Sequence, residues 1–171
     1  MKNKHLFVGV DIALNTTGFS ILDETKKLYR TGLIETKKHW DYYKKIDFIY
    51  DSFVDLFNEI RKKNPKSVTL ILEGRLKAGF SGQTLASIEG ARVSSYLAYK
   101  HTCENYEIDV NHYVYNPNEV KYYFSKSRSA SKEKMFKSVS SQFSSLKKLE
   151  FQEDIFDSIY LVLYHLESNH E

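Results

Sequence analysis

Two short apolar runs, each closed by a carboxylate, constrain this chain most. Leu6-Phe7-Val8-Gly9-Val10 ends at Asp11, and Val68-Thr69-Leu70-Ile71-Leu72 ends at Glu73. Runs this short and this apolar read as strands buried on both faces, the kind found inside parallel or mixed sheets. A carboxylate at the end of such a strand is costly unless a cation or a partner neutralises it. Two strand ends can lie side by side in one sheet, so the two acids can share a neighbour. Asp154 and Asp157 open a long apolar helical segment, and acids at i and i+3 project from one helix face. Glu153 lies about 100° round that helix from Asp154 and should face elsewhere. Together Asp11, Glu73, Asp154 and Asp157 form a candidate oxygen-only cage for Mg²⁺ or Mn²⁺, suited to two-metal phosphodiester chemistry. The plainer alternatives are solvated strand ends or capping acids for the first two. For the second two, the alternative is a pair of acids favoured by the helix macrodipole.

The remaining composition narrows the class. A chain of 171 residues is expected to form one domain with a core of its own. Seven glycines and two prolines argue for regular elements with few long loops. The single Cys103 excludes a disulfide framework and a cysteine-based zinc site, and it fits a reducing cytoplasm. The opening Met1-Lys2-Asn3-Lys4-His5 lacks the apolar stretch of a signal peptide, and no segment is long and apolar enough to span a membrane. The formal net charge of +3 says little about partners, but its distribution says more. Between Glu119 and Lys148 eight Lys or Arg face only Glu119 and Glu133. Lys121, Lys126, Arg128 and Lys134 in that stretch fit a phosphate-tracking patch, or else a solvated Ser-rich loop. Tyr113, Tyr115, Tyr122 and Tyr123 offer stacking surfaces for bases, but tyrosine is as often sheet filler.

Periodicity predicts strands at 5–12, 18–24 and 28–35 in an antiparallel meander. A helix at 40–63 follows, stopped by Asn64-Pro65. Then come a buried strand at 68–73, a helix at about 84–101, a strand at 107–115 and a short helix at 118–124. A basic loop at 125–131 precedes helices at about 132–143 and 152–167. The order is three strands, helix, strand, helix, strand, then helices. It predicts an α/β chain with one mixed sheet, three antiparallel strands then two parallel, flanked by helices. That is also the order of the ribonuclease H-like fold.

The residues that match go further than the order. Val8-Gly9-Val10-Asp11 with Thr17-Gly18, Leu72-Glu73, Gly90-Ala91-Arg92, Tyr115-Asn116-Pro117-Asn118-Glu119-Val120-Lys121, Ser129-Ala130-Ser131-Lys132 and Asp154-x-x-Asp157 with His165 fall in sequence. Taken together over about residues 5–166, they resemble the RuvC family of Holliday junction resolvases, in the manner of a divergent bacteriophage member. The departures are specific. Asp11-Ile12-Ala13 stands where the family often reads Asp-Pro-Gly, and Lys126 and Arg128 stand where cellular members carry glycines. Arg75, Leu76 and Phe80 follow the second acid without a clear counterpart of the family's junction-wedging aromatic residue.

The resemblance implies an endonuclease that cuts branched DNA, chiefly four-way junctions, in the cytoplasm. Asp11, Glu73, Asp154 and Asp157 would hold two Mg²⁺ ions, one to activate the attacking water and one to stabilise the leaving 3′ oxygen. The products would carry a 5′ phosphate and a 3′ hydroxyl. Lys132 becomes the candidate cation beside the scissile phosphate. A homodimer is expected, built on the helix near 84–101, where Ala86, Gly90, Ala91 and Ala98 would permit close approach. Rival expectations are another ribonuclease H-like nuclease acting on RNA–DNA hybrids or flaps, a phosphotransferase of the actin and sugar-kinase type, and a non-catalytic junction-binding module.

Overall fold

The computed structural model describes residues 4–74, 82–106, 108–126, 131, 133, 136–137, 140 and 152–168, and every structural statement below concerns these. Five strands form one sheet: β1 (His5–Asp11), β2 (Thr16–Asp23), β3 (Leu28–Glu35), β4 (Ser67–Glu73) and β5 (Asp109–Tyr115). Their order across the sheet is β3-β2-β1-β4-β5. β1 pairs antiparallel with β2, and β2 with β3, which is the expected meander. β4 lies parallel to β1, and β5 parallel to β4. The four described helices are α1 (Tyr42–Arg61), α2 (Gly82–Cys103), α3 (Pro117–Ser125) and α4 (Glu153–Ser168). The expected basic loop and the helix at about 132–143 fall largely outside the described residues.

Alternation along the central strands decides what covers each face of the sheet. Leu6, Val8 and Val10 of β1, with Val68, Leu70 and Leu72 of β4, pack with Ile49, Phe53, Phe57 and Tyr99 of α1 and α2. Phe7 of β1, Leu22 of β2 and Ile71 of β4 pack with Phe156, Ile159 and Leu163 of α4. Both faces of β4 are therefore buried, which is why its run reads apolar throughout. The same parity carries Asp11 and Glu73, odd-numbered like Phe7 and Ile71, to the α4 face.

Local chemistry sets the element ends. Asp41 caps α1 by accepting from the Lys44 N–H at 2.9 Å. Asn64 takes a left-handed φ of 48° just before Pro65 and ends the helix-exit turn. β2 begins at Thr16, two residues before its expected start, because Thr16 and Thr17 already pair with Glu35 and Ile34 of β3. β5 is an edge strand with little buried surface. That explains its weak alternation. The buried Tyr99 hydroxyl holds it, lying 2.6 Å from the Val68 carbonyl and 2.8 Å from that of Asn111, with one proton to serve both.

At the far end of the sheet, fully buried Asp23 closes the β2–β3 turn. It accepts from Lys4 Nζ at 2.5 Å, the Thr25 N–H and hydroxyl, the Lys27 N–H and the Tyr29 hydroxyl. Burial opposes its ionisation, but these donors outweigh it and hold the carboxyl well below the usual carboxylate range. A depressed carboxyl stabilises the fold above its unfolded pKa of about 3.9 and loses that contribution as pH falls. Asp23→Ala should lower stability by about 3 kcal/mol at pH 7. The gap from the unaltered chain should narrow below about pH 4, as urea titrations at several pH values would measure.

Candidate active site

The β1–β4 register sets the two strand-end acids side by side. Val10 pairs with Leu72, so the next residues, Asp11 and Glu73, leave the sheet together on the α4 face. Across the other ladder Asp11 pairs with Gly18. A Cβ placed on Gly18 would stand 2.1 Å from the Asp154 carbonyl oxygen, and one placed on Gly9 would stand 2.0 Å from that of Ser158. Two glycines on one face of the sheet thus admit the backbone of α4 to contact. This close approach brings Asp154 and Asp157, both half-buried, over Asp11. Glu153 is exposed.

The electrostatics follow from this crowding. Burial of Asp11 is the largest influence on its carboxyl, followed by the charges of Glu73 and Asp157, a hydrogen bond with Glu73 and the charge of Asp154. All of them act upward, to about 9. A hydrogen bond between two carboxyls requires a proton held between them, so the titration belongs to the cluster rather than to Asp11 alone. Among the described residues, no group of three or more His, Cys, Asp or Glu side chains is gathered closely enough to hold an ion. The chemistry of the donor set still fits a hard divalent cation: four carboxylates, one of them protonated for want of positive charge.

Neighbouring residues fix the acids without joining them. Buried Thr17 donates its hydroxyl to the Ala13 carbonyl at 2.6 Å and faces the Ala13 N–H at 3.3 Å. It ties down the turn that follows Asp11 with no left-handed residue in it, so the turn needs no glycine at position 13. Arg92 of α2 donates Nε to the Glu73 carbonyl at 3.1 Å and pairs with Glu89. The sequence marked Thr17, Gly18 and Arg92 only through resemblance; their physical roles are the turn, the helix approach and the strand end. Tyr160, one turn beyond Asp157, keeps a buried hydroxyl with no hydrogen-bond partner among the described residues. Its pKa is raised by burial and then by the Asp157 charge.

The other expected residues divide. Half-buried Lys121 lies in the second turn of α3, and exposed Lys126 closes that helix in a left-handed conformation with its Nζ 4.9 Å from the Tyr123 ring. Arg128, Lys132 and Lys134 lie outside the described residues, as do Arg75, Leu76 and Phe80. His165 sits eight residues beyond Asp157, about 12 Å along the helix. It is buried among Tyr113, Tyr115 and Phe7, with Nδ1 2.8 Å from the Tyr115 hydroxyl. Tyr115 is engaged there as packing, whereas Tyr113 packs on the same ring but stays exposed, as does Tyr122. Three of the four small residues of α2 turn inward, and Ala86 is exposed. Ala91 and Ala98 are fully buried in the core, and Gly90 faces the Tyr42 hydroxyl of α1. Gly90, Ala91 and Ala98 are therefore used inside the chain, Gly90 against its own α1.

One edge of the sheet collects these features. α1 and α3 follow the ends of β3 and β5, and the first turn of α4 meets Gly18 at the same edge.

Comparison with known proteins then places the chain. No family model matches it. It is 25% identical over 165 residues to the crossover junction endodeoxyribonuclease RuvC of Brachyspira hyodysenteriae, covering 95% of this chain and 94% of that protein. The chain is RuvC-like. Its fold is that of Thermus thermophilus RuvC, solved in complex with a Holliday junction substrate: TM-score 0.75, 14% identity, 97% of this chain and 96% of that one. The yeast mitochondrial Holliday junction resolvase Ydc2 shares it more loosely, at TM-score 0.57 and 12% identity over 97% of this chain and 78% of that one. The RuvC-like sheet is thus kept at low identity, and its mixed order is the ribonuclease H-like one expected.

Proposed function

We propose that this RuvC-like chain is a metal-dependent, structure-selective endodeoxyribonuclease that cuts branched DNA, chiefly four-way junctions. The observation that carries the reading is Asp11, ringed by the charges of Glu73, Asp157 and Asp154 at the edge where the helices begin. The Brachyspira relative's name and the Thermus relative's bound junction support the substrate class. Asp11, Glu73, Asp154 and Asp157 would hold Mg²⁺, two ions in this reading, with Mn²⁺ able to substitute. Ions bound there supply positive charge for activating the attacking water and for the leaving 3′ oxygen. The protein's part is positional. Gly18 and Gly9 admit α4, Thr17 holds the Asp11 turn, and Arg92 holds the end of β4. Lys121 and Lys126, with Arg128 and Lys134, would contact the DNA backbone, and Lys132 would stand beside the scissile phosphate as the resemblance implies.

The test is cleavage of a synthetic four-way junction beside linear duplex and RNA–DNA hybrid, with and without Mg²⁺. The expected result is Mg²⁺-dependent cutting of the junction alone, leaving 5′ phosphates. Preferred cutting of the hybrid would favour the other ribonuclease H-like reading.

A four-way junction presents two equivalent strands, so a two-fold dimer would place one site on each. Val93 and Leu97, four apart on α2, are 51% and 40% exposed, and Val114 of β5 is 51% exposed. With Gly90, Ala91 and Ala98 turned inward, Val93 and Leu97 are the larger apolar side chains α2 would offer a second copy, and Val114 is the one β5 would add. Leu97→Asp should then give a monomer by sedimentation that nicks junctions singly instead of making paired cuts. A monomeric unaltered chain making paired cuts would remove the dimer from the reading.

A further inference from the structure

We propose that the segment from Lys37 to Lys44 is a second surface for the phosphodiester backbone of a DNA arm, on the flank of the acids opposite to Lys121 and Lys126. The inference rests on the nucleic-acid reading above and extends it to residues outside the expected basic stretch.

Position comes first. The segment leaves the end of β3, whereas α3 leaves the end of β5. In the order β3-β2-β1-β4-β5 each is two strands from Asp11 on β1, about 10 Å to either side. The segment is also fastened to the turn that follows Asp11. Thr36 donates its N–H to the Asn15 carbonyl and its hydroxyl to the Leu14 carbonyl, both at 2.9 Å. At the other end buried Lys45 donates Nζ to Asn15 Oδ1 at 2.7 Å. Charge near the segment is thereby coupled mechanically to the loop beside the strand-end acids.

The chemistry of the surface suits a polyanion. Lys37, Lys38, His39 and Lys44 are exposed. None of them makes a salt bridge to a carboxylate among the described residues. The one acid within the segment, Asp41, is engaged in capping α1. Half-buried Trp40 organises the cations. Lys37 Nζ lies 5.5 Å and Lys44 Nζ 5.2 Å from its ring centroid. The ring itself is seated against Phe48 at 5.2 Å and His39 at 6.5 Å. One indole thus gathers two ammonium groups within 5.5 Å of its ring, neither in a salt bridge among the described residues, and a phosphate would give both a counterion. Tyr43, 76% exposed, adds an open aromatic face beside them. Backbone contacts of this kind read charge and not base identity.

Trp40 is the only tryptophan in the chain, so its emission reports on this surface alone. The experiment titrates the full chain with a synthetic four-way junction in Ca²⁺ at several salt concentrations, following Trp40 emission and a gel-shift readout together. It compares the unaltered chain with K37A/K38A and with the charge-matched K62A/K63A, whose exposed lysines lie at the far end of α1. The expected result is a Trp40 emission change that saturates with binding. K37A/K38A should flatten the salt slope by about 1.8, at 0.9 per phosphate contact, and K62A/K63A should leave it unchanged. Binding with unaltered Trp40 emission and equal slopes in the two variants would overturn the surface while leaving the nuclease reading intact. Failure of the unaltered chain to bind any junction would overturn both.

Discussion

Asp11→Asn is expected to abolish cleavage and, in the absence of metal, to make the protein more stable at pH 8. Burial and then the charges of Glu73 and Asp157 raise the Asp11 carboxyl to about 9, against about 3.9 in an unfolded chain. Between those values the native state carries a proton that the unfolded state has lost. Stability is therefore fully present below about pH 4, declines as pH rises through the window by up to about 1.4 kcal/mol per pH unit, and is lost above about 9. Asparagine keeps the shape and cannot ionise, so the decline should flatten. A gain on the order of 2 kcal/mol at pH 8 is the expected scale for relieving a site of this kind. Mg²⁺ should stabilise the unaltered chain by mass action, more at high pH because the ion takes the proton's place. The variant should lose most of that shift. Single-turnover cleavage should fall by at least about 10³, the equivalent of several kcal/mol of lost charge stabilisation, while junction binding in Ca²⁺ largely persists. Thermal unfolding from pH 5 to 9 with and without Mg²⁺, beside the rates, checks both halves. A variant that cuts at the normal rate and responds to Mg²⁺ like the unaltered chain would remove Asp11 from the site.

The strand-end acids were legible because burial leaves a strong trace in sequence. Strands covered on both faces must be apolar throughout, so the acid that breaks each run marks the sheet edge. Parity and register then do what no single run does: they set Asp11 beside Glu73 and turn both toward α4. What stayed hidden was chemistry that depends on a distant partner. Thr16 and Thr17 lie outside the strand expected at 18–24 until β3 pairs with them. Ala91, Ala98 and Gly90 read as a stripe for a second copy, because α2 is flanked by both sheet and α1 and its sequence does not say which small residue meets which. The basic segment at Lys37 was masked by Glu35, Asp41 and Asp47, which dilute the local charge. Only the structure shows Asp41 engaged with the helix end. The stretch around Lys132 had the larger charge excess and drew the attention.

Gly18→Ala tests whether the approach of α4 makes the site. The added methyl would lie 2.1 Å from the Asp154 carbonyl oxygen and 2.9 Å from Asp154 Cβ. Both belong to a helix whose next turns are locked into the core by Phe156 and Ile159. Neither atom is the free end of a flexible side chain, so the first turn of α4 must retreat by about 1 Å or more to reach ordinary contact. Asp154 and Asp157 would move with it. A displacement of that size beside reacting groups costs about 10² in rate, and overpacking costs about 1–3 kcal/mol in stability. Gly32→Ala separates the two effects. Its methyl meets the Phe19 ring at 2.7 Å, on the other face of the sheet, so it should cost comparable stability and keep single-turnover cleavage near that of the unaltered chain. Circular dichroism and urea titration would establish that both variants are folded at the assay temperature. Equal rates for the two would mean that α4 carries its acids without needing Gly18. A loss confined to Gly18→Ala would assign that glycine to the geometry of the four carboxylates.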